Sequence, residues 1–208
     1  VYEPKLLLLD EPLSNLDAKL REEMRVELKQ LVNRLGITTL YVTHDQVEAL
    51  ALSDNVAVMN HGVIVQEGAP RDIYLQPPDA FTANFIGRIN LYEGKVLRSP
   101  AKNGLAVVQV PIGEVLCRLP DGLLDGDAIQ LMIRPEGVSI LENSREQNNN
   151  TLDGEVELVT FQGDTVEYQI RVQSQHCRVK SDSLKEIGKD RKVSLYFPPE
   201  RCLVVRRD

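Results

Sequence analysis

The sequence predicts an α/β segment followed by an all-β domain, and three observations carry that reading. Residues 6–9 are four consecutive leucines that run into Asp10-Glu11-Pro12, the pattern of a buried strand delivering carboxylates at its C-terminal tip. Between Ser14 and Gly36, Leu20, Met24, Leu28, Leu31, Val32 and Leu35 recur at spacings of three and four, which describes an amphipathic helix. After Gly87 such long patterns stop, and short alternating runs return at intervals of roughly ten residues.

The elements follow in order. Pro12 lacks a backbone donor and fixes φ, so it stops the first strand. Ser14 or Asp17 caps the helix and Gly36 ends it. Its other face, with Lys19, Arg21, Glu22, Glu23, Lys29 and Arg34, is expected to be solvated. Residues 39–42 form a second apolar strand, so strand, helix and strand make a βαβ unit with parallel strands. Residues 46–52 read as a short helix. Residues 56–59 and 63–66 read as a hairpin in which Asn60 and Gly62 tolerate positive φ. Helical pieces at 71–75 and 80–86 flank Pro77-Pro78.

Beyond Gly87 the runs are 91–97, 105–110, 114–118, 128–133, 155–161, 165–172, 177–180, 193–197 and 203–205. Gly, Pro and Asp punctuate them, as in a small antiparallel barrel or sandwich. The asparagine-rich stretch 143–151 reads as a polar loop between two groups of strands. The expected domains are therefore 1–87 and 88–208.

Composition narrows the function. Of 208 residues, 42% are hydrophobic and 26% charged, which is globular usage. No run of about 18 apolar residues exists to span a membrane as a helix. Three widely separated cysteines, Cys117, Cys177 and Cys202, suit free thiols in a reducing compartment rather than a disulfide frame or zinc site. The net charge of −7 is uneven: residues 1–87 hold 7 Lys/Arg against 13 Asp/Glu, and residues 88–208 hold 17 against 18. Neither half is basic, and aromatics are only 5% with no Trp, so a nucleic-acid surface lacks both charge and stacking platforms.

Open α/β sheets place ligand sites at the C-terminal edge of their strands. Two neighbouring tips would present Asp10, Glu11 and His44 to one crevice, the equipment for holding a metal and activating a water beside a phosphate. His61 and His176 have no such company and read as turn and surface residues.

Residues 6–12 resemble a Walker B strand with its following glutamate, Ser14-Asn15-Leu16-Asp17 resembles a D-loop, and Thr43-His44-Asp45 resembles an H-loop. In this order they resemble the ATP-binding subunit of bacterial-type ABC importers with a C-terminal TOBE domain, an OB-like module. Phe85-Ile86-Gly87, residues 90–94, Ile133-Arg134-Pro135-Glu136, Gly154-Glu155-Val156, Phe161-Gln162-Gly163-Asp164 and Phe197-Pro198-Pro199-Glu200-Arg201 carry the TOBE part. The resemblance implies that 1–87 is the C-terminal part of a P-loop NTPase domain and that 88–208 is the OB-like domain.

It further implies roles. Asp10 would hold Mg²⁺ through water, Glu11 would polarise the attacking water, and His44 would contact the γ-phosphate. Ser14, Asn15 and Asp17 would line the nucleotide site facing a second subunit in a head-to-tail dimer. ATP and Mg²⁺ are the implied cofactors. The implied partners are membrane permease subunits, a solute-binding protein indirectly, a second copy of the chain through 88–208, with 197–205 as candidate contact, and a small regulatory ligand at the β domain. Arg134 would serve either an anion or an internal ion pair. The implied location is peripheral, on the cytoplasmic side of the cell membrane.

A phosphate-cradling Gly-x-x-x-x-Gly-Lys-Ser/Thr run is missing: Gly94-Lys95 is followed by Val96, and Gly188-Lys189 by Asp190. The Leu-Ser-Gly-Gly-Gln signature and the glutamine loop are missing too. In the family these precede the Walker B strand, and the chain opens just before it without an initiator Met. The expectation is the C-terminal portion of a longer ATPase subunit, inactive alone. The alternative is a regulatory and dimerisation module with no activity of its own.

Overall fold

The computed structural model describes residues 4–100, 104–141, 150–184 and 186–207. The polar stretch expected at 143–151 lies outside them except for Asn150 and Thr151. The chain divides into two compact units, 1–77 and 78–208.

In the first unit, β1 (Leu6–Asp10) and β2 (Thr38–Val42) pair in parallel, with Leu8 opposite Leu40 and Asp10 opposite Val42. Helix α1 (Ala18–Leu35) links them. Asp17 is its cap, accepting the Leu20 N–H at 3.0 Å. Gly36 closes it at φ 60°, its N–H on the Val32 carbonyl at 3.0 Å.

The expected orientation of α1 is reversed in part. Leu20, Met24, Leu31 and Leu35 are exposed, and the helix buries no residue fully. Arg21 and Lys29, expected in solvent, are partly buried instead. Arg21 donates to the Leu16 carbonyl at 2.9 Å and Lys29 to the Leu52 carbonyl at 2.5 Å. Long cationic stems can lie along neighbouring chain while their heads reach carbonyls. Of the apolar stripe only Leu28 and Val32 are partly buried. One face of the strand pair is open as well, where Leu6, Leu8, Leu40 and Val42 are all exposed.

Helix α2 (Gln46–Leu52) follows, then a hairpin of β3 (Val56–Asn60) and β4 (Val63–Gly68). His61 at φ 47° and Gly62 at φ 79° make its turn, one residue along from the expected Asn60. Helix α3 (Pro70–Leu75) starts on proline and buries Ile73. Leu13, Val56, Val58 and Ile73 are buried in this unit, and so is Pro77 at its end.

The second unit begins at Pro78, ten residues before the expected start at 88, and its first element is α4 (Ala80–Ile86). Thr82, Ala83 and Ile86 are buried, and the Ala83 carbonyl accepts from the Arg134 guanidinium at 3.2 Å. The strands are β5 (Asn90–Arg98), β6 (Ala106–Val110), β7 (Gly113–Cys117), β8 (Ala128–Ile133), β9 (Ser139–Leu141), β10 (Thr151–Phe161), β11 (Thr165–Val172), β12 (Gln175–Asp182), β13 (Lys192–Tyr196) and β14 (Leu203–Arg206). They form two five-stranded antiparallel sheets, ordered β14-β8-β5-β6-β7 and β9-β13-β10-β11-β12. One apolar core, including Val108, Ile112, Leu131, Tyr168, Ile170 and Phe197, is shared by both.

The two sheets repeat one plan. Asn90-Leu91-Tyr92-Glu93-Gly94-Lys95-Val96 and Asn150-Thr151-Leu152-Asp153-Gly154-Glu155-Val156 are matching runs. Each opens a central strand flanked by equivalent partners, β6 and β8 in one sheet, β11 and β13 in the other. A Cβ at Gly94 would stand 2.2 Å from the Gln109 carbonyl oxygen, and one at Gly154 2.9 Å from that of Arg171, so both positions need glycine. The last strand of each half is exchanged: β9 pairs with β13 and β14 with β8. Two asparagines link the halves by imitating backbone pairs, Asn90 with β12 and Asn150 with β7. Asn90 donates to and accepts from Arg178 at 2.8 and 2.7 Å, and Asn150 does the same with Leu116 at 2.8 and 2.7 Å.

The three cysteines are free and buried, and burial pushes the Cys117 and Cys177 thiols up to about 12. Phe197, Cys202 and Val204 are buried in the core. The terminal run expected as a dimer contact therefore spends these apolar side chains internally.

Candidate functional site

Strand β1 ends at Asp10, and Glu11 turns sharply to φ 45°. Its N–H donates to the Val42 carbonyl at 2.8 Å, which ties the turn to the tip of β2. Its own carbonyl accepts the Ser14 N–H at 3.2 Å and the Ser14 hydroxyl at 2.9 Å. Leu13 is buried and anchors the loop. Asp10, Glu11, Ser14, Asn15 and Asp17 are left exposed at the tip of the strand pair.

On β2, Thr43 and His44 follow the strand end. His44 Nδ1 stands 2.8 Å from Glu11 Oε1. The imidazole is exposed, and its hydrogen bond to Glu11, reinforced by the Glu11 charge, raises its pKa above the usual histidine value. Asp45 caps α2, accepting from Val47 N–H at 2.8 Å and Glu48 N–H at 3.2 Å. Arg21 of α1 lies 3.7 Å from Asp45. A small cleft of about 30 Å³ between Ser14, Arg21, Thr43, His44, Asp45 and Glu48 completes the edge.

Of the residues singled out from sequence, Glu11 and His44 are brought into contact. Ser14 holds the Glu11 turn, and Asp17 caps α1. Asp10 lies on the neighbouring strand end, and no group of three or more metal-ligating side chains forms among the described residues. Magnesium retains most of its waters and takes one or two carboxylates beside substrate phosphates. A lone Asp10 fits that ion as an outer carboxylate once a nucleotide supplies oxygens. The cleft is far too small to hold a nucleotide by itself.

Sequence reasoning missed Glu48, which is buried and accepts the Tyr41 hydroxyl at 2.8 Å and the Thr43 hydroxyl at 2.9 Å. Burial and the Glu48 contact push the Tyr41 phenol above its ordinary range. The available signal was Asp45-x-x-Glu48, a capping-box spacing. Arg134, held open between two roles, donates to the Ala83 and Arg88 carbonyls at 3.2 and 3.5 Å from a buried position.

The double β-sheet unit is an OB-like TOBE fold. Residues 131–205 match the TOBE domain family. The chain also resembles the cytoplasmic molybdate-binding protein ModG in fold, with TM-score 0.50 at 12% identity, covering 57% of this chain and 96% of that one.

Among curated proteins it is 39% identical over 208 residues to the spermidine/putrescine import ATP-binding protein PotA of Borreliella afzelii (strain PKo), covering all of this chain and 56% of that protein. It is 44% identical over 173 residues to the Fe(3+) ions import ATP-binding protein FbpC of Brucella melitensis biotype 1, covering 83% of this chain and 47% of that protein. The chain spans about half the length of the curated relatives it matches. It matches the C-terminal, TOBE-containing portion of ABC-importer ATP-binding subunits.

Proposed function

We propose that this chain belongs to the ATP-hydrolysing subunit of an ABC importer, with 1–87 as the C-terminal part of the P-loop ATPase domain and 88–208 as the regulatory TOBE domain. The observation that carries the reading is the 2.8 Å contact of Glu11 with His44 across adjacent parallel strand tips. Phosphoryl transfer asks a protein chiefly for positioning and electrostatics. Glu11 is the base that takes up a water proton at its carboxylate, and His44 orients that carboxylate and faces the terminal phosphate. Asp10 holds the outer shell of magnesium, and Ser14, Asn15 and Asp17 meet the nucleotide bound with a second subunit. Bound Mg-ATP supplies the phosphoryl group.

The unpartnered apolar surface supports the same reading. A lone domain rarely leaves a contiguous apolar patch of this kind open. Leu6, Leu8, Leu40 and Val42 on the strand pair and the leucine stripe of α1 suit a segment packed inside a larger ATPase domain. Permease subunits, a second copy and, indirectly, a solute-binding protein are the partners, at the cytoplasmic face of the membrane. No described helix is long and apolar enough to cross a membrane. The relatives are named for a polyamine and for ferric iron, so the solute is chosen outside this portion.

The test is Glu11→Gln in the whole protein. Turnover should fall by roughly 10²–10⁴ with ATP affinity nearly intact, the usual worth of a positioned acid/base. A variant that keeps most of its turnover removes the catalytic role. The 208-residue chain alone should show no micromolar Mg-ATP binding by calorimetry, because it lacks a phosphate-cradling loop.

A further inference from the structure

Glu48 is a carboxylate that the catalytic reading does not use. It is 2% exposed, in the first turn of α2, three residues after the capping Asp45. A glutamate at that place ordinarily reaches back to the N–H of the capping residue and needs no burial to do so. Here that N–H is already taken, because Asp45 donates it to the Thr43 hydroxyl at 3.0 Å. Glu48 turns inward instead. A single oxygen, Oε2, accepts both the Tyr41 hydroxyl and the Thr43 hydroxyl. Burying a carboxylate is costly unless it is hydrogen-bonded in this way.

The Thr43 hydroxyl is thus used in both directions. It donates to Glu48 and accepts from Asp45, so it ties together the residues on either side of His44. The His44 side chain is itself largely in solvent, at 74% exposure. Its place is therefore set by the backbone of residues 43–45.

We propose that Glu48 is a positioning residue: through the Thr43 hydroxyl it fixes the 43–45 backbone so that His44 meets Glu11 across the two strand tips. The bland alternative is that Glu48 only stabilises the junction of β2 with α2. The two hydrogen bonds to its one oxygen separate these cases. Tyr41→Phe deletes one of them, Thr43→Val deletes the other together with the Asp45 N–H bond to the same hydroxyl, and Glu48→Leu deletes both while leaving the Asp45 bond in place.

The experiment is an NMR pH titration of the His44 ring in the 208-residue chain, with thermal melts alongside. The groups acting on His44 are Glu11 first, then Asp45 and Glu48 with smaller effects. The unsubstituted chain should titrate above 6.5. Thr43→Val should lose most of that displacement, and Tyr41→Phe should keep it. Glu48→Gln offers an amide oxygen at the same place and should keep most of it, whereas Glu48→Leu should lose it as Thr43→Val does, and a Glu48→Leu midpoint equal to the parent's overturns the proposal. Equal His44 midpoints in Thr43→Val and Tyr41→Phe, whatever their melting temperatures, overturn the proposal.

A second arm rests on the catalytic reading above. In the whole protein, Thr43→Val should lower kcat about ten- to a hundredfold with little change in KM, as small misplacements do, while Tyr41→Phe should not. A displacement lost in Thr43→Val with kcat unchanged overturns the catalytic reading and leaves Glu48 its positioning role. An unchanged His44 midpoint overturns the positioning role whatever kcat does.

Discussion

Glu11 holds a left-handed backbone at φ 45°, which costs a residue with a Cβ about 1–2 kcal/mol. Strain of this kind persists where surrounding bonds over-determine it, often at functional tips. Here those bonds are the Val42 carbonyl on one side and Ser14 on the other. The Glu11–His44 contact has a pH signature. The folded-state pKa of His44 is raised by the Glu11 hydrogen bond. Its contribution to stability is therefore complete below the unfolded value near 6.5 and is lost as pH rises through the folded value. Glu11→Gln should bring the His44 midpoint down toward 6.5 in an NMR titration, and an unmoved midpoint would show that the pair does not form in solution. The buried Asn150 makes a different kind of prediction. It serves the Leu116 N–H and carbonyl and the Phe197 carbonyl at once. Asn150→Ala leaves buried backbone groups unpaired, at about 1–3 kcal/mol each, and should lower the denaturation midpoint measurably. At this scale the positions of Asp10, Glu11 and His44 at two adjacent strand tips were legible because strand ends announce themselves in sequence. Glu48 and Asn150 were not, because their roles depend on burial and on partners from distant strands.

Among the elements, each alternating run named beyond Gly87 became a strand, the short runs 177–180 and 203–205 included. The missed one, β9, has three residues and is fixed by pairing with β13 rather than by its own pattern. The duplication was also visible in principle, since the Asn90 and Asn150 runs share Asn, an acid, Gly and Val at equal offsets. Reading it requires comparing halves instead of counting runs. Helix α1 failed in the opposite sense. Its periodicity was real, yet an apolar stripe states only that a helix seeks cover and does not name the cover. The glycines of the two central strands give the test at this scale. Gly94→Ala would drive a methyl against the Gln109 carbonyl at 2.2 Å. Overpacking costs about 1–3 kcal/mol and more where backbone must move. Gly188→Ala meets nothing within 4 Å and should be nearly neutral. Chemical denaturation of the two variants should differ accordingly, and equal midpoints would mean that β5 and β6 pair less closely than described.

For the whole molecule, apolar burial is unequal. The shared core lies entirely in the second unit, while the first buries Leu13, Val56, Val58 and Ile73. Amide exchange should therefore be slow across β5–β14 and faster across β1 and β2, whose backbone bonds lie beneath exposed leucines. The same imbalance decides how the 208-residue chain associates. Its terminal run 197–205 offers little free apolar surface, since Phe197, Cys202 and Val204 serve the internal core. The strand pair offers much more: Leu8 is 65% exposed and Leu40 57%, and the two are opposite each other in register. Residues 1–87 carry an excess of six acidic groups, which opposes self-contact at low salt and is screened beyond about 10 Å at 0.1 M. Self-association through the first unit should then strengthen with salt, whereas contacts between opposite charges would weaken. The check is sedimentation equilibrium of the chain at low and moderate salt, beside a Leu8→Lys/Leu40→Glu double variant. That pair keeps the net charge unchanged and places opposite charges across the two strands, so it removes apolar surface without adding repulsion. A monomeric variant beside a self-associating parent places the contact on β1 and β2. Undiminished association in the variant would move it to the second unit, where a TOBE-mediated dimer belongs.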